Sequence, residues 1–258
     1  MSTETAKAAR HAVVTGGGQG IGAAIAQALV QQGCVVTVLG RRLAVVQELA
    51  AQHPQRMHAV AADVSDPQQV AQAMASAREV FGPVQILVNN AGQAASAPFL
   101  KTDLALWEQM LSVNLTGTML CTQAVLPDML AAQWGRVINV TSTAGQTGYA
   151  YVSAYCAAKH GVVGLTRSLA LELAKKGITV NAVCPGYTET DIVTTSIERI
   201  MAKTGRSEAE ARAEFVKSNP QGRLVQPHEV ANAVVWLSGN AASAITGQAI
   251  SVAGGEVL

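Results

Sequence analysis

The sequence predicts a doubly wound α/β fold, a parallel sheet of about seven strands with helices packed on both faces. Short apolar runs alternate with longer stretches of helical period along nearly the whole chain. The apolar content, 49% of 258 residues, is mostly aliphatic with only 4% aromatic, the mix that fills strands covered on both sides. A glycine-rich turn follows the first strand at once, as it does where such sheets hold a dinucleotide.

Residues 11–15 form the first strand, followed by Gly16-Gly17-Gly18-Gln19-Gly20-Ile21-Gly22 and a helical run over 23–31. Glycines at such a turn let the backbone approach a phosphate, and the helix start offers unpaired amides at the positive end of its dipole. A dinucleotide site accounts for this position better than a structural turn does. The second strand, 34–39, ends in Gly40-Arg41-Arg42, beside the place where an acidic residue would take a ribose 2′-hydroxyl. Gly40 has no carboxylate, whereas Arg41 and Arg42 could hold a 2′-phosphate, which favours NADP(H) and leaves NAD(H) possible. The alternative is two arginines that end a strand and stay solvated.

Helix 43–52, strand 57–61, helix 67–81 and strand 85–88 continue the alternation. Asp63-Val64 and Asn89-Asn90-Ala91-Gly92 fall on the same carboxyl edge as the glycine turn, so one ligand could touch all of them. A long helical region, 102–133, carries Asn114 among Leu111, Val113, Leu115 and Leu120. A buried Asn needs hydrogen-bond partners, and this one reads equally as a structural kink or as part of a site. Strand 136–140 precedes Ser142, strand 178–183 runs into Cys184-Pro185-Gly186, and helix 227–237 and strand 249–252 close the fold. Between them, 187–221 is more polar with a weaker helical period, and is expected to be a mobile lid at the ligand edge. With no repeat or linker, 1–258 reads as one domain.

The stretch from Ser142 to Lys159 carries the chemistry. Tyr155 and Lys159 stand four apart, on one face of a helix. A neighbouring ammonium favours a phenolate, so the phenol's ordinary pKa near ~10 is expected to fall, which suits proton transfer to or from an alcohol. Ser142 adds a hydroxyl at a strand's carboxyl end. A Tyr and a Lys at this spacing also arise by chance, so the reading depends on the rest of the chain.

Net charge is +1, from 18 basic and 17 acidic residues, which gives no reason to expect nucleic acid or an anionic membrane as partner. Cys34, Cys121, Cys156 and Cys184 are widely spaced, and His11, His53, His58, His160 and His228 form no ligand motif, so neither disulfides nor a metal site is expected. The polar, Ala-rich stretch 1–10 lacks the apolar core of a signal peptide and no run is long enough to span a bilayer; a soluble, cytoplasmic protein is expected.

Taken together, Thr15-Gly16-x-x-x-Gly20-Ile21-Gly22, Asn89-Asn90-Ala91-Gly92, Asn114, Ser142, Tyr155-x-x-x-Lys159 and Pro185-Gly186 resemble the short-chain dehydrogenase/reductase family over nearly the whole chain. The resemblance implies a Rossmann-type fold. It implies that Tyr155 is the general acid-base, that Lys159 lowers its pKa and binds the nicotinamide ribose, that Ser142 bonds the substrate oxygen, and that Asn114 supports a proton-relay water. By the same resemblance Gly16, Gln19 and Ile21 line the pyrophosphate, Asp63 and Val64 the adenine, and Asn90 the adjoining ribose, with Gly20, Gly22 and Gly92 also among the cofactor-binding residues. Thr188 and Thr190 would bind the nicotinamide carboxamide, Pro185, Gly186 and Tyr155 would also contact the cofactor, and Gln93, Gln146, Tyr149, Tyr151 and Tyr187 would wall the substrate pocket.

Within the family the chain is similar to bacterial 3-oxoacyl-thioester reductases and to aromatic polyketide ketoreductases, on Lys159-His-Gly-Val-Val-Gly164, Gly177-Ile-Thr-Val-Asn-Ala-Val-Cys-Pro-Gly186, Gly222-Arg-Leu-Val-Gln-Pro-x-Glu-Val230 and Gly254-Gly255. Relatives that dock an acyl carrier protein present basic side chains where this chain has Ala131-Ala132-Gln133 and Leu171, so a coenzyme A thioester, or a free ketone or alcohol, is expected instead. Gln19 stands where many NADP-preferring relatives have a basic residue, which leaves the preference to Arg41 and Arg42. A homotetramer is implied, with Val257 and Leu258 at an apolar end. The other readings are an NAD(P)-linked dehydrogenase of a small cyclic or aromatic alcohol and a non-catalytic dinucleotide-binding regulator. The regulator would not need Tyr155 and its neighbours.

Overall fold

The computed structural model describes residues 9–257, so Met1–Ala8 of the polar amino-terminal stretch and Leu258 lie outside the described residues. Seven strands form one sheet: β1 (His11–Thr15), β2 (Val35–Gly40), β3 (Met57–Ala61), β4 (Ile86–Asn89), β5 (Gly135–Val140), β6 (Ile178–Pro185) and β7 (Ala249–Val252). Their order is β3-β2-β1-β4-β5-β6-β7 and every pairing is parallel. β1, β4, β5 and β6 are buried along their whole length, as their near-continuous apolar runs require.

The helices α1 (Gly20–Gln31), α2 (Leu43–Ala51) and α9 (Pro227–Ser238) pack on one face, through residues such as Ile25, Leu29, Val46, Leu49, Val230 and Val234. The other face is covered by α3 (Pro67–Phe81), α5 (Gly117–Ala132) and α6 (Ser153–Leu173), with Met74, Val125, Met129 and Leu173 in that core. A buried polar chain ties α5 and α6 to the sheet. Asn89 Nδ2 donates to Thr122 Oγ1 at 3.0 Å and to Asn139 Oδ1 at 2.9 Å, and Asn139 Nδ2 donates to Thr166 Oγ1 at 2.9 Å. Hydrogen-bonded interior amides of this kind fix how two elements sit, because sliding would orphan them.

Two regions differ from the sequence expectation. The predicted helix over 102–133 is α4 (Leu104–Leu111), a π-helical turn (Ser112–Thr116) and α5, and Asn114 sits in that turn. The widened turn breaks the regular ladder at the one buried amide of the segment, so Asn114 lies at a structural irregularity and beside the cavity at once. The segment 187–221, expected to be a mobile lid with a weak helical period, contains two regular helices, α7 (Asp191–Thr204) and α8 (Glu208–Val216). Val193, Ile197, Ala211 and Leu224 give these helices a small core of their own. Ser207 caps α8 in a capping box with Glu210.

Among the described residues, no helix is long and apolar enough to cross a membrane, and no group of His, Cys, Asp or Glu is placed to hold a metal ion.

Candidate active site

The strand order switches sides between β1 and β4, and a cavity of about 1130 Å³ opens at the carboxyl ends of the strands around that point. Ligands of open α/β sheets bind there because the loops on either side diverge and leave a crevice.

The glycine turn forms one end. Gly16 and Gly20 have φ of +62° and +55°, and a Cβ on Gly22 would lie 2.2 Å from the Gly16 carbonyl oxygen. Only glycine lets α1 start this close to the turn, which leaves its first amides facing the cavity. Asn90 locks the arrangement: its Nδ2 donates to the carbonyls of Thr15 and Gly16, both at 3.1 Å, while its backbone N–H and that of Ala91 donate to Thr15 Oγ1, both at 3.0 Å. Gln19, Gly20, Ile21 and Gly22 line the cavity, as do Asp63, Val64 and Gly92 farther along. The Asp63 carboxylate accepts from Ser65 Oγ at 2.6 Å, a bond that holds its pKa below the ordinary value.

Arg41 and Arg42 stand at the end of β2, exposed and at the cavity's edge. Arg42 donates to Gln19 Oε1, and the Gln93 carboxamide, oriented by its neighbours, presents its oxygen to both terminal nitrogens of Arg41, at 3.0 and 3.1 Å. Among the described residues, neither guanidinium is paired with a carboxylate. The two positive charges held by neutral amides are therefore open to an anion.

At the other end, Ser142, Tyr155 and Lys159 share one wall. Ser142 Oγ accepts from the Ala144 N–H at 3.1 Å, which fixes its rotamer at the start of a short 3₁₀ turn. Lys159 is buried, its Nζ donates to the Val140 carbonyl at 3.1 Å, and it stands 5.7 Å from the centre of the Tyr155 ring. Burial lowers the Lys159 pKa to about 8. The Tyr155 phenol is pushed up to about 12, chiefly by burial, against a hydrogen bond with Ser142 that acts downward. Contrary to the expected fall, burial holds the phenol above its ordinary value in this structure, and the Lys159 ammonium is aimed at the Val140 carbonyl.

Asn114 is fully enclosed. Its Nδ2 donates to the carbonyls of Gln93 and Met110, both at 2.9 Å, and its Oδ1 accepts from the Gln93 N–H at 3.2 Å. A Cβ on Gly92 would meet Asn114 Oδ1 at 2.9 Å and Lys159 Nζ at 3.5 Å, so the bare glycine lets three elements converge. The side chain of Asn114 thereby positions the loop that carries Gln93.

Pro185, Gly186, Tyr187, Thr188 and Thr190 line the facing wall, with Thr190 3.2 Å from where a Cβ on Gly20 would sit. Thr188 Oγ1 donates to the Gly186 carbonyl at 3.0 Å and Thr190 Oγ1 to the Thr188 carbonyl at 3.2 Å, which curls this loop back over the cavity. Of the expected pocket walls, Gln93, Tyr149 and Tyr187 reach the cavity. Gln146 and Tyr151 do not. Gln146 bonds the Ala249 carbonyl and Ser251 beside β7, and Tyr151, held at φ +68°, points its ring into solvent while its carbonyl accepts from the Ala97 N–H.

Sequence reasoning missed Glu256, Val193, Arg199 and Phe215. Tyr149 donates to Glu256 Oε1 at 2.6 Å and Ser218 donates to the same oxygen at 2.9 Å, so the chain's last turn braces both the pocket wall and the lid's end. Val193, Arg199 and Phe215 line the cavity from the lid, and Phe215 packs edge-on against Tyr187 with ring centres 5.2 Å apart. Val193, Ser196 and Arg199 stand at i, i+3 and i+6, a spacing that the polar character of the segment obscured; nothing in the sequence tied Glu256 to Tyr149.

The short chain dehydrogenase family profile matches residues 10–200. The chain belongs to the short-chain dehydrogenase family. Its members named below are reductases and dehydrogenases, and this chain is likewise an oxidoreductase acting on CH–OH groups, of the ketoreductase kind. It is 38% identical over 247 residues to a 3-oxoacyl-acyl-carrier-protein reductase of Aquifex aeolicus, covering 94% of this chain and 95% of the relative. It is 40% identical over 252 residues to cis-4-hydroxycyclohexanecarboxylate dehydrogenase of Sinomonas cyclohexanicum, covering 96% of each. A crystal structure of a variant of actinorhodin polyketide ketoreductase with NADPH superposes with a TM-score of 0.92 at 37% identity, covering 99% of both chains.

Proposed function

We propose that this protein is an NADP(H)-dependent reductase of 3-oxoacyl thioesters, working on coenzyme A thioesters in preference to carrier-protein ones, with Tyr155 as general acid-base. The observation that carries the reading is one cavity with Ser142, Tyr155 and Lys159 at one end and the glycine turn with two unpaired arginines at the other. The glycine cradle and these cations fit a nicotinamide dinucleotide bearing a 2′-phosphate. Once bound, that cofactor supplies the hydride.

The chain's own residues do the rest. Ser142 Oγ, fixed by the Ala144 N–H, donates to the substrate oxygen, and Tyr155 donates a second hydrogen bond to it. A phenol at about 12 keeps its proton through the neutral range, so it is available as the acid for a carbonyl oxygen that gains negative charge. Lys159 holds a proton below about 8, where its charge stabilises the phenolate left behind. Asn114 fixes the Gln93 loop against Lys159, and Tyr149, Tyr187 and Phe215 offer apolar surface to the acyl part.

A dehydrogenase of a cyclic secondary alcohol is the second reading, favoured by the 40% identity to the cis-4-hydroxycyclohexanecarboxylate dehydrogenase. The test is initial rates with NADPH and NADH on acetoacetyl-CoA and on a cyclic ketone, for the parent and for Tyr155→Phe. The thioester should turn over with NADPH, and the variant should bind NADPH while losing about three orders of magnitude in kcat. A variant as fast as the parent would remove Tyr155 from the mechanism; activity on the cyclic ketone alone would favour the second reading.

A further inference from the structure

The lid's arginines divide into two kinds. Arg206 pairs with Glu214 at 2.9 Å, Arg212 with Glu189 at 2.6 and 2.8 Å, and Arg223 with Glu229 through two bonds of 2.7 Å. The first two hold the lid's own structure, and Arg223, just past the lid, ties the chain there to α9. Arg199 has no ion pair or hydrogen bond among the described residues, and of the lid arginines it alone lines the cavity.

Its place on α7 gives it a direction. Val193, Ser196 and Arg199 recur every three residues and all line the cavity; Val193 also packs with Ile197 in the lid's small core, and Arg199 stands farther round the helix, outside that core. The row starts beside Thr190, opposite the glycine turn, and runs outward. With about 1.5 Å of rise per residue, Arg199 lies roughly 13 Å along the helix from Thr190. Asp191, the acidic residue of α7 that also lines the cavity, is about 12 Å of rise away and does not neutralise it. An arginine left unpaired at a cavity mouth, with a planar set of donors, is suited to a carboxylate or a phosphate.

We propose that Arg199 is a specificity-determining residue that binds an anionic group on the substrate's far end, away from the reacting carbon. The phosphate of a pantetheine arm and a distal carboxylate share the required chemistry. The inference rests on the ketoreductase reading for which end of the cavity is reactive.

The test separates it from that reading by measuring binding as well as turnover. The enzyme, saturated with NADP+, is titrated calorimetrically with two pairs: acetoacetyl-CoA against the uncharged N-acetylcysteamine thioester of acetoacetate, and an ω-carboxy methyl ketone against its methyl ester. In Arg199→Met, the ratio of dissociation constants within a pair should shift about tenfold against the anionic member, the size expected for losing a charge-assisted bond. Arg199→Lys should recover part of it. A shift in the first pair identifies the phosphate, and in the second the carboxylate. Equal changes for both members of each pair, or no binding of either anionic ligand to the parent, would overturn the role of Arg199. Failure of the parent to reduce any of these ketones, with the binding shift intact, would count against the ketoreductase reading and not against the anion site.

Discussion

Lys159 holds its charge in a place that charge disfavours. It is buried, a single carbonyl receives its ammonium at 3.1 Å, and its pKa falls to about 8. The unfolded chain keeps that proton to about 10.4, so between the two values the unfolded state binds more protons and stability contributed by this group rises with pH. Below about 8 the full burial penalty remains. Lys159→Met should therefore raise the melting temperature of the cofactor-free protein at pH 7, by roughly 5 °C, and the gain should shrink as pH rises through that window. Thermal melts across the window check it, and a variant less stable at pH 7 would mean the carbonyl bond outweighs desolvation. The identity of this group was readable from the Tyr155-x-x-x-Lys159 spacing. The direction of the Tyr155 shift was not, because it depends on how much water the fold removes from the phenol and on where the ammonium points.

At the scale of elements, the strands and the glycine turn were legible because each obeys a local rule. β3 and α3 have the bounds read from the sequence, and α3 carries its own signals: Asp66 capping the backbone N–H groups of Gln68 and Gln69, and Pro67 in the first turn. The irregularity at Asn114 was half legible, since a buried amide there read as a kink or as part of a site, but its hydrogen bonds to the Gln93 loop, distant in sequence, were not. The lid helices were missed although Ser207-x-x-Glu210 is a capping-box pattern, because the polar faces of both helices masked their short apolar stripe. The glycine turn supplies the prediction at this scale. In Gly22→Ala the new methyl would lie 2.2 Å from the Gly16 carbonyl oxygen and 2.5 Å from Asn90 Nδ2, both held by the bonds that shape the turn. The backbone must give way there, so NADPH affinity should fall by about a hundredfold or more while the circular dichroism of the rest stays that of the parent. Fluorescence titration of NADPH reads this, and an affinity within a few fold of the parent's would show that the turn does not hold the phosphates.

On the scale of the whole molecule, the strand order brings the ends of β1, β2, β4, β5 and β6 around one crevice, with the lid on its open side. A ligand there touches elements that are distant in sequence, so its binding energy counts toward the stability of the entire fold. At a concentration one hundred times its dissociation constant, a ligand that binds only the folded state adds about 2.7 kcal/mol, which for a chain of this size raises the melting temperature by roughly 5–10 °C. NADP+ should produce that shift at a lower concentration than NAD+. The expected difference has a local origin, since Gly40 leaves no carboxylate for a ribose hydroxyl, while Arg41 and Arg42 form no ion pair among the described residues. Arg41→Ala combined with Arg42→Ala should therefore move the NADP+ curve toward the NAD+ curve and leave the NAD+ curve nearly where it was. Loss of both shifts together would mean that the arginines support the crevice itself, and the 2′-phosphate would then have to be recognised elsewhere along its wall.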